Sequence, residues 1–296
     1  MKECLFLIIL FLSSSLNAYE LAIAAQFRDE APYLKEWIEY HHMIGVDHFW
    51  LYNNSSEDNW EEVLQPYMES GLVEVFYWPS ERSNYQSYHT MANQDALRRA
   101  KGNTKWVALI DIDEFLLPMK EKTMPECLEK HFSKASAIYA NWRMFGTGGI
   151  YIDPYQPIIS KLTSCSFKHH PRNLVGKTIL RPERTDIDKI WYEHYMPLLP
   201  DVPGYFDGNG EDLHYDGTTL LDVPKHCDKY LRINHYNLRD ENFYQNIRLP
   251  RAKSGVYGDP VLFEEHHESF SLIKDQALIN FIKKNYPEMY ESFWKN

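Results

Sequence analysis

The run Trp106-Val107-Ala108-Leu109-Ile110, followed directly by Asp111-Ile112-Asp113-Glu114, constrains this chain more than any other stretch. An unbroken apolar run of strand length, with no polar alternation, suits a strand buried on both faces. Such strands sit in sheets covered by helices, so the segment asks for an α/β layer architecture. Ligands of open α/β sheets bind at the carboxyl ends of the strands, where the three acids would lie. Continuing the strand through Asp113 puts the Asp111 and Asp113 carboxylates on one face, with Ile112 turned away. Two such carboxylates hold a hard cation, Mg²⁺ or Mn²⁺, whose shell is completed by substrate phosphates and water.

The neighbouring segments agree with that architecture. Glu20 to Gln26 is a second apolar run, ended by the polar Phe27-Arg28-Asp29-Glu30, after which Leu34, Trp37, Ile38 and His41 recur at helical spacing. Val46 to Tyr52 predicts a strand, closed by Asn53-Asn54-Ser55 before a helix from about Trp60 to Glu69. Leu72 to Tyr77 predicts a third strand, His89 to Lys101 a helix stopped by Gly102, and Ile138 to Trp142 another strand. From Gly146 onward Gly, Pro, His and Tyr dominate, which predicts a loop-rich region with a final helix near Leu272 to Lys284. Residues 19–296 therefore read as one domain, with 19–145 binding one substrate and 146–296 the other.

Parallel connections bring the tips after the first and second strands close to Asp111. Arg28 is a bidentate partner for a diphosphate, and Glu30 an acceptor for ribose hydroxyls or an amide. Asn53 and Asn54 each offer a carbonyl and an NH₂, enough to read the edge of a base, although Asn-Asn-Ser before a helix also suits N-capping. Composition narrows the field. With 44% apolar and 15% aromatic residues the chain is not disordered, and a net charge of −11 without any Lys/Arg run leaves no electrostatic footprint for nucleic acid. Four cysteines without a CxxC pair support neither a disulfide scaffold nor a zinc ribbon. Residues 1–18, with Lys2, an apolar run from Leu5 to Leu12 and the small Ala18, predict a signal peptide or short anchor, hence a secreted or membrane-associated protein of the secretory pathway.

In order along the chain, Phe27 to His41, Gly45 to Phe49, Leu51 to Ser55, Lys105 to Phe115, Asn141-Trp142, Phe145-Gly146, Lys177-Thr178-Ile179, Arg181-Pro182 and His235-Tyr236 before Arg239 resemble the family 92 glycosyltransferases, which are similar to family 2. The resemblance implies a GT-A (Rossmann-like) fold with a mixed, mostly parallel sheet. It also implies a UDP-sugar donor, a divalent metal at the DxD pair, and inverting transfer, of galactose in the first instance, to a hydroxyl of a glycan. The family's usual Tyr-Asp-Asn after the second strand is Tyr52-Asn53-Asn54 here.

On that reading His235, in the strand-like Leu231 to Tyr236, joins Asp111 and Asp113 as third metal ligand, with His194 as the alternative. A neutral imidazole suits Mn²⁺. Lys177 and Arg181 neutralise the leaving diphosphate, and Trp142 and Phe145 stack on an acceptor sugar. Inversion needs a carboxylate to take the acceptor proton, for which Asp207, Glu211, Asp212 and Glu114 are candidates. Two other readings stay open: a metal-dependent phosphoesterase, because carboxylates plus His also build hydrolytic sites, and a non-catalytic carbohydrate-binding protein.

Overall fold

The computed structural model describes residues 18–80, 85–192, 194–214, 225–255 and 259–295. The predicted leader therefore lies almost wholly outside the described residues. Among these, no helix is long and apolar enough to cross a membrane.

The first half alternates strands and helices: β1 (Tyr19–Phe27), α1 (Ala31–Met43), β2 (His48–Asn53), α2 (Trp60–Glu69), β3 (Val73–Tyr77), α3 (Tyr85–Ala100), β4 (Thr104–Leu109), β5 (Glu114–Pro118), α4 (Met124–Phe132) and β6 (Ala137–Met144). The second half adds β7 (Ser164–Cys165), β8 (Gly176–Leu180), β9 (Tyr205–Asp207), β10 (Asp212–Leu213), β11 (Leu231–His235) and β12 (Ile273–Lys274). The main sheet runs β10-β9-β6-β8-β4-β1-β2-β3, with β11 joining β5 to β6. Strands β1 to β4 are mutually parallel where they pair, and β8 enters antiparallel between β4 and β6. This mixed sheet with flanking helices is the expected α/β class.

Strand alternation explains why those runs are apolar throughout. In β1, Leu21, Ile23 and Ala25 join one core while Ala22 and Ala24 join the other; in β4, Trp106 and Ala108 oppose Val107 and Leu109 in the same way. Helix α1 buries Leu34, Trp37, Ile38 and Tyr40 against the first core. Cys127, Cys165 and Cys227 are buried free thiols.

Three local expectations are corrected. Asp111 to Asp113 do not extend β4: the chain turns there, and the Glu114 N–H donates to the Asp111 carbonyl at 3.1 Å before β5 begins. Asn53 and Asn54 do not cap α2, whose N-cap is Asn59. The helix predicted near Leu272 to Lys284 begins at Ala277, five residues later, because Ile273 and Lys274 pair with β7 and Asp275 Oδ1 accepts from the Ala277 N–H.

Candidate active site

The acid turn between β4 and β5 is held from three sides. The Trp37 indole of α1 donates to the Asp111 and Glu114 carbonyls at 3.1 and 2.9 Å, the Tyr236 N–H donates to the Asp113 carbonyl at 2.8 Å, and Glu114 Oε2 accepts from the Asp111 N–H. Because the two aspartates lie in a turn, their carboxylates part company. Asp111 meets Lys177 Nζ at 3.0 Å and His89 at 3.7 Å, whereas Asp113 meets His235 Nε2 at 3.4 Å and Arg248 at 3.8 Å. Burial by itself would raise both carboxyls; Lys177 and His89 hold Asp111 well below the usual range, and His235, then Arg239, hold Asp113 at about 2. Glu114 is the opposite case, fully enclosed and pushed well above the usual range by burial.

The cluster that draws together is consequently Asp113, Glu114 and His235, whose ligand atoms lie within 4.8 Å of one another; Asp111 faces Lys177 instead. Glu114 Oε1 and His235 Nδ1 are buried without a hydrogen-bond partner. Unsatisfied buried polar atoms are costly, and two carboxylates with one imidazole suit Mn²⁺ or Mg²⁺, so these residues fit a divalent cation. The pairing of β11 sets this geometry. His235 lies opposite Glu114 of β5 and Met144 of β6.

The tips of β1 and β2 close one flank. They are strapped together by Asn54 N–H to the Phe27 carbonyl (2.9 Å), Asp29 N–H to Ser56 Oγ (3.0 Å), Glu57 N–H to Asp29 Oδ1 (2.8 Å) and Ala31 N–H to Asp58 Oδ2 (2.7 Å). Asn53 and Asn54 each spend their carbonyl oxygen on backbone, accepting from Ser56 and Ser80. What they keep for a base is their NH₂ groups and the second lone pair of each oxygen. Glu30 accepts from Arg239 at 2.8 Å, and the Arg239 guanidinium also covers the Tyr33 ring at 4.1 Å. Arg28 is half-exposed, 3.8 Å from Asp29. Three non-glycine residues here, Asp29, Ser55 and Arg239, have φ of 55, 54 and 53°. Left-handed backbone at non-glycine positions is costly and gathers where structure serves a ligand.

Several predicted residues lie elsewhere or play another part. Arg181 follows the last residue of the antiparallel β8, at the end of the sheet where β4 begins, and stacks on Trp106 at 4.0 Å while donating to the Ala135 and Ser133 carbonyls. Phe145 is buried against the Tyr236 ring. Trp142 does border the cluster, 4.4 Å from the His235 ring and 5.3 Å from that of His194, with its Nε1 buried and unpartnered. Asp207 ends β9 and spends Oδ1 on the N–H groups of Asn209 and Glu211, while Glu211 and Asp212 are exposed on the β9–β10 hairpin. Glu114 has no exposed surface with which to meet an acceptor hydroxyl. His89 and Arg248 were not anticipated; each meets the acids across a long sequence separation, so no local spacing signals it. Arg239, by contrast, stands in the motif read after His235.

A family model described as glycosyltransferase family 92 matches residues 19–203. The chain belongs to glycosyltransferase family 92. Among curated members, one from Oryza sativa subsp. japonica is 28% identical over 275 residues, covering 90% of this chain and 45% of its own. One from Ricinus communis is 25% identical, covering 77% and 38%. The chain thus spans less than half the length of these family 92 relatives. A galactan β-1,4-galactosyltransferase of Arabidopsis thaliana is 34% identical over 106 residues, 33% of this chain and 21% of that protein. Among solved structures, S. aureus TarS 1-349 superposes with a TM-score of 0.42 at 12% identity, covering 92% of this chain and 74% of that one.

Proposed function

We propose that this family 92 chain moves a sugar, galactose in the first instance, from a UDP-sugar to a hydroxyl of a glycan, with inversion at the anomeric carbon. The observation that supports it is the convergence of Asp113, Glu114 and His235 with Lys177, Arg239 and Arg248 at the carboxyl ends of the parallel strands. Cations gathered beside a cluster that fits a divalent ion suit a diphosphate. Galactose rests on the partial similarity to the galactan galactosyltransferase.

Asp113, His235 and Glu114 would hold a divalent cation, which would supply charge neutralisation at the diphosphate. Lys177 keeps Asp111 ionised and adds positive charge beside the leaving group. Arg239 fixes Glu30 where a ribose hydroxyl can donate to it, and Asn53 and Asn54 present their NH₂ groups to the base. In the reaction the acceptor oxygen bonds to the anomeric carbon as the bond to the diphosphate oxygen breaks. The acceptor proton passes to a general base, and Glu211 and Asp212 are not placed to be it: Asp212 lies level with Ile138 of β6, about 20 Å along the strand from Met144 beside His235. Residues 1–18 would deliver the enzyme to the secretory pathway or hold it at a membrane.

Calorimetric titration of UDP, UDP-galactose and GDP-mannose, with and without Mn²⁺, tests the reading. Metal-dependent UDP binding that disappears in Asp113→Ala is the expected result. Absence of nucleotide binding with either Mn²⁺ or Mg²⁺ refutes it.

A further inference from the structure

The segment after β8 carries a run of rings that the donor site does not use. Trp191 is 54% exposed, and its indole lies 5.5 Å from the Tyr192 ring and 6.0 Å from that of Tyr195. Tyr192 continues to His194 at 5.1 Å, His194 to Trp142 at 5.3 Å, and Trp142 to His235 at 4.4 Å. The rings therefore form a continuous path from solvent to the acid cluster.

The path is held in place. His194 Nδ1 donates to the Gly176 carbonyl and its own carbonyl accepts from Thr178 Oγ1, both at 2.7 Å, which ties the segment to the β8 residues flanking Lys177. On the other side Arg98 of α3 pairs with Asp188 at 2.7 Å. Sheet order fixes which flank this is. The acid turn follows β4, the donor tips belong to β1 and β2 on one side of it, and β8 and β6 stand on the other. At the inner end the buried Trp142 Nε1 is a donor without a partner, and the Trp142 ring lies beside those of both His235 and His194.

We infer that Trp191, Tyr192 and Tyr195 form a shelf on which a neutral oligosaccharide lies, leading its terminal sugar toward Trp142, whose Nε1 donates to a sugar hydroxyl. The chemistry is that of carbohydrate recognition. Ring faces pack on the C–H faces of pyranoses while tyrosine hydroxyls and an indole N–H supply hydrogen bonds, and an exposed tryptophan at the outer end contributes ring surface without charge. The inference deepens the transferase reading and rests on it for the role of acceptor, but the glycan contact itself does not require a nucleotide.

The test uses the full chain with Mn²⁺ and UDP present, and β-1,4-galactotetraose, cellotetraose and chitotetraose as probes. Oligosaccharide binding is followed by calorimetry and tryptophan fluorescence, and UDP affinity is measured separately. Wild-type protein should bind at least one of the three. Trp191→Ala should weaken that binding about tenfold, Trp191→Phe should restore most of it, and UDP affinity should stay within about twofold in both. Trp191 is exposed, so folding of the variants is checked simply by an unchanged melting temperature. Wild type that binds UDP but none of the three oligosaccharides overturns the shelf. So does glycan binding indifferent to Trp191→Ala, or a parallel loss of UDP affinity, which would make the rings a base platform. Ring-dependent glycan binding without any UDP binding would keep the shelf and overturn the transferase reading instead.

Discussion

Replacing Glu36 by Gln should reverse its effect on stability between acid and alkaline solution. Glu36 lies in α1, 5% exposed, and its two oxygens accept from three donors: Ile158 N–H at 2.8 Å, Ile159 N–H at 3.2 Å and Trp294 Nε1 at 3.0 Å. Burial lifts its carboxyl from an ordinary 4.5 to about 7, against those three hydrogen bonds. At about 1.4 kcal/mol per pH unit, ionising it inside the fold costs roughly 3 kcal/mol more than in the unfolded chain. The native state holds the extra proton between about pH 4.5 and 7, so the wild type is most stable below that window and loses this increment as pH rises through it. Glutamine does not titrate, but its NH₂ must face one of the N–H donors, which costs about 1–3 kcal/mol at every pH. The variant should therefore be less stable than wild type by about 2 kcal/mol near pH 5 and more stable by about 1 kcal/mol near pH 8. Urea unfolding followed by tryptophan fluorescence across that range measures the difference, with Trp294 reporting from the site itself. A stability difference that stays constant with pH would show that Glu36 is ionised throughout, held by its three donors, and would refute the argument.

Three further outcomes follow from the geometry. Gly176→Ala drives a Cβ into the Ala140 carbonyl oxygen, so β8 and β6 must separate; thermal unfolding should show a loss of about 3 kcal/mol together with weakened UDP binding through the adjacent Lys177. Lys177→Met removes the cation beside Asp111 and leaves that carboxylate facing the diphosphate without its counter-charge, so UDP affinity should fall about tenfold, as calorimetry can show. Arg239→Lys lacks the planar fork that spans Glu30 and the Ile112 carbonyl, and UDP affinity should drop about tenfold, read by the same titration.

The first half of the fold was legible because its strands are buried on both faces and its helices carry one apolar stripe, so period and length separate them. Reading Asp111 and Asp113 as a strand pair failed for a local reason: the Glu114 side chain bonds the Asp111 N–H and favours a turn, and such side-chain to backbone bonds compete with sheet pairing. The third acid, read as extra charge and as a candidate base, was the signal. Lys177, His235 and Trp142 are brought to the acid turn or its border, as the motif string implied. Arg181 is not: a cation near a glycine has no visible direction in sequence, and here the Trp106 face and the end of α4 claim it. His89, Arg248 and the rings at 191–195 were illegible because their meaning lies in partners far along the chain.

Strand β11 is wedged between β5 and β6, and with it His235 is fixed opposite Glu114. The β5–β11 ladder pairs residues 113 to 121 positions apart, against 85 between β1 and β4, and loop closure is what makes non-local pairing slow to form. Strands β1 to β4 pair among themselves, while the acid turn and the Glu30 tip also take hold from Tyr236 and Arg239. The histidine arrives only when β11 docks. A chain interrupted before that point would carry the acids without their third partner, so the same ladder that gives the site its rigidity also times its completion.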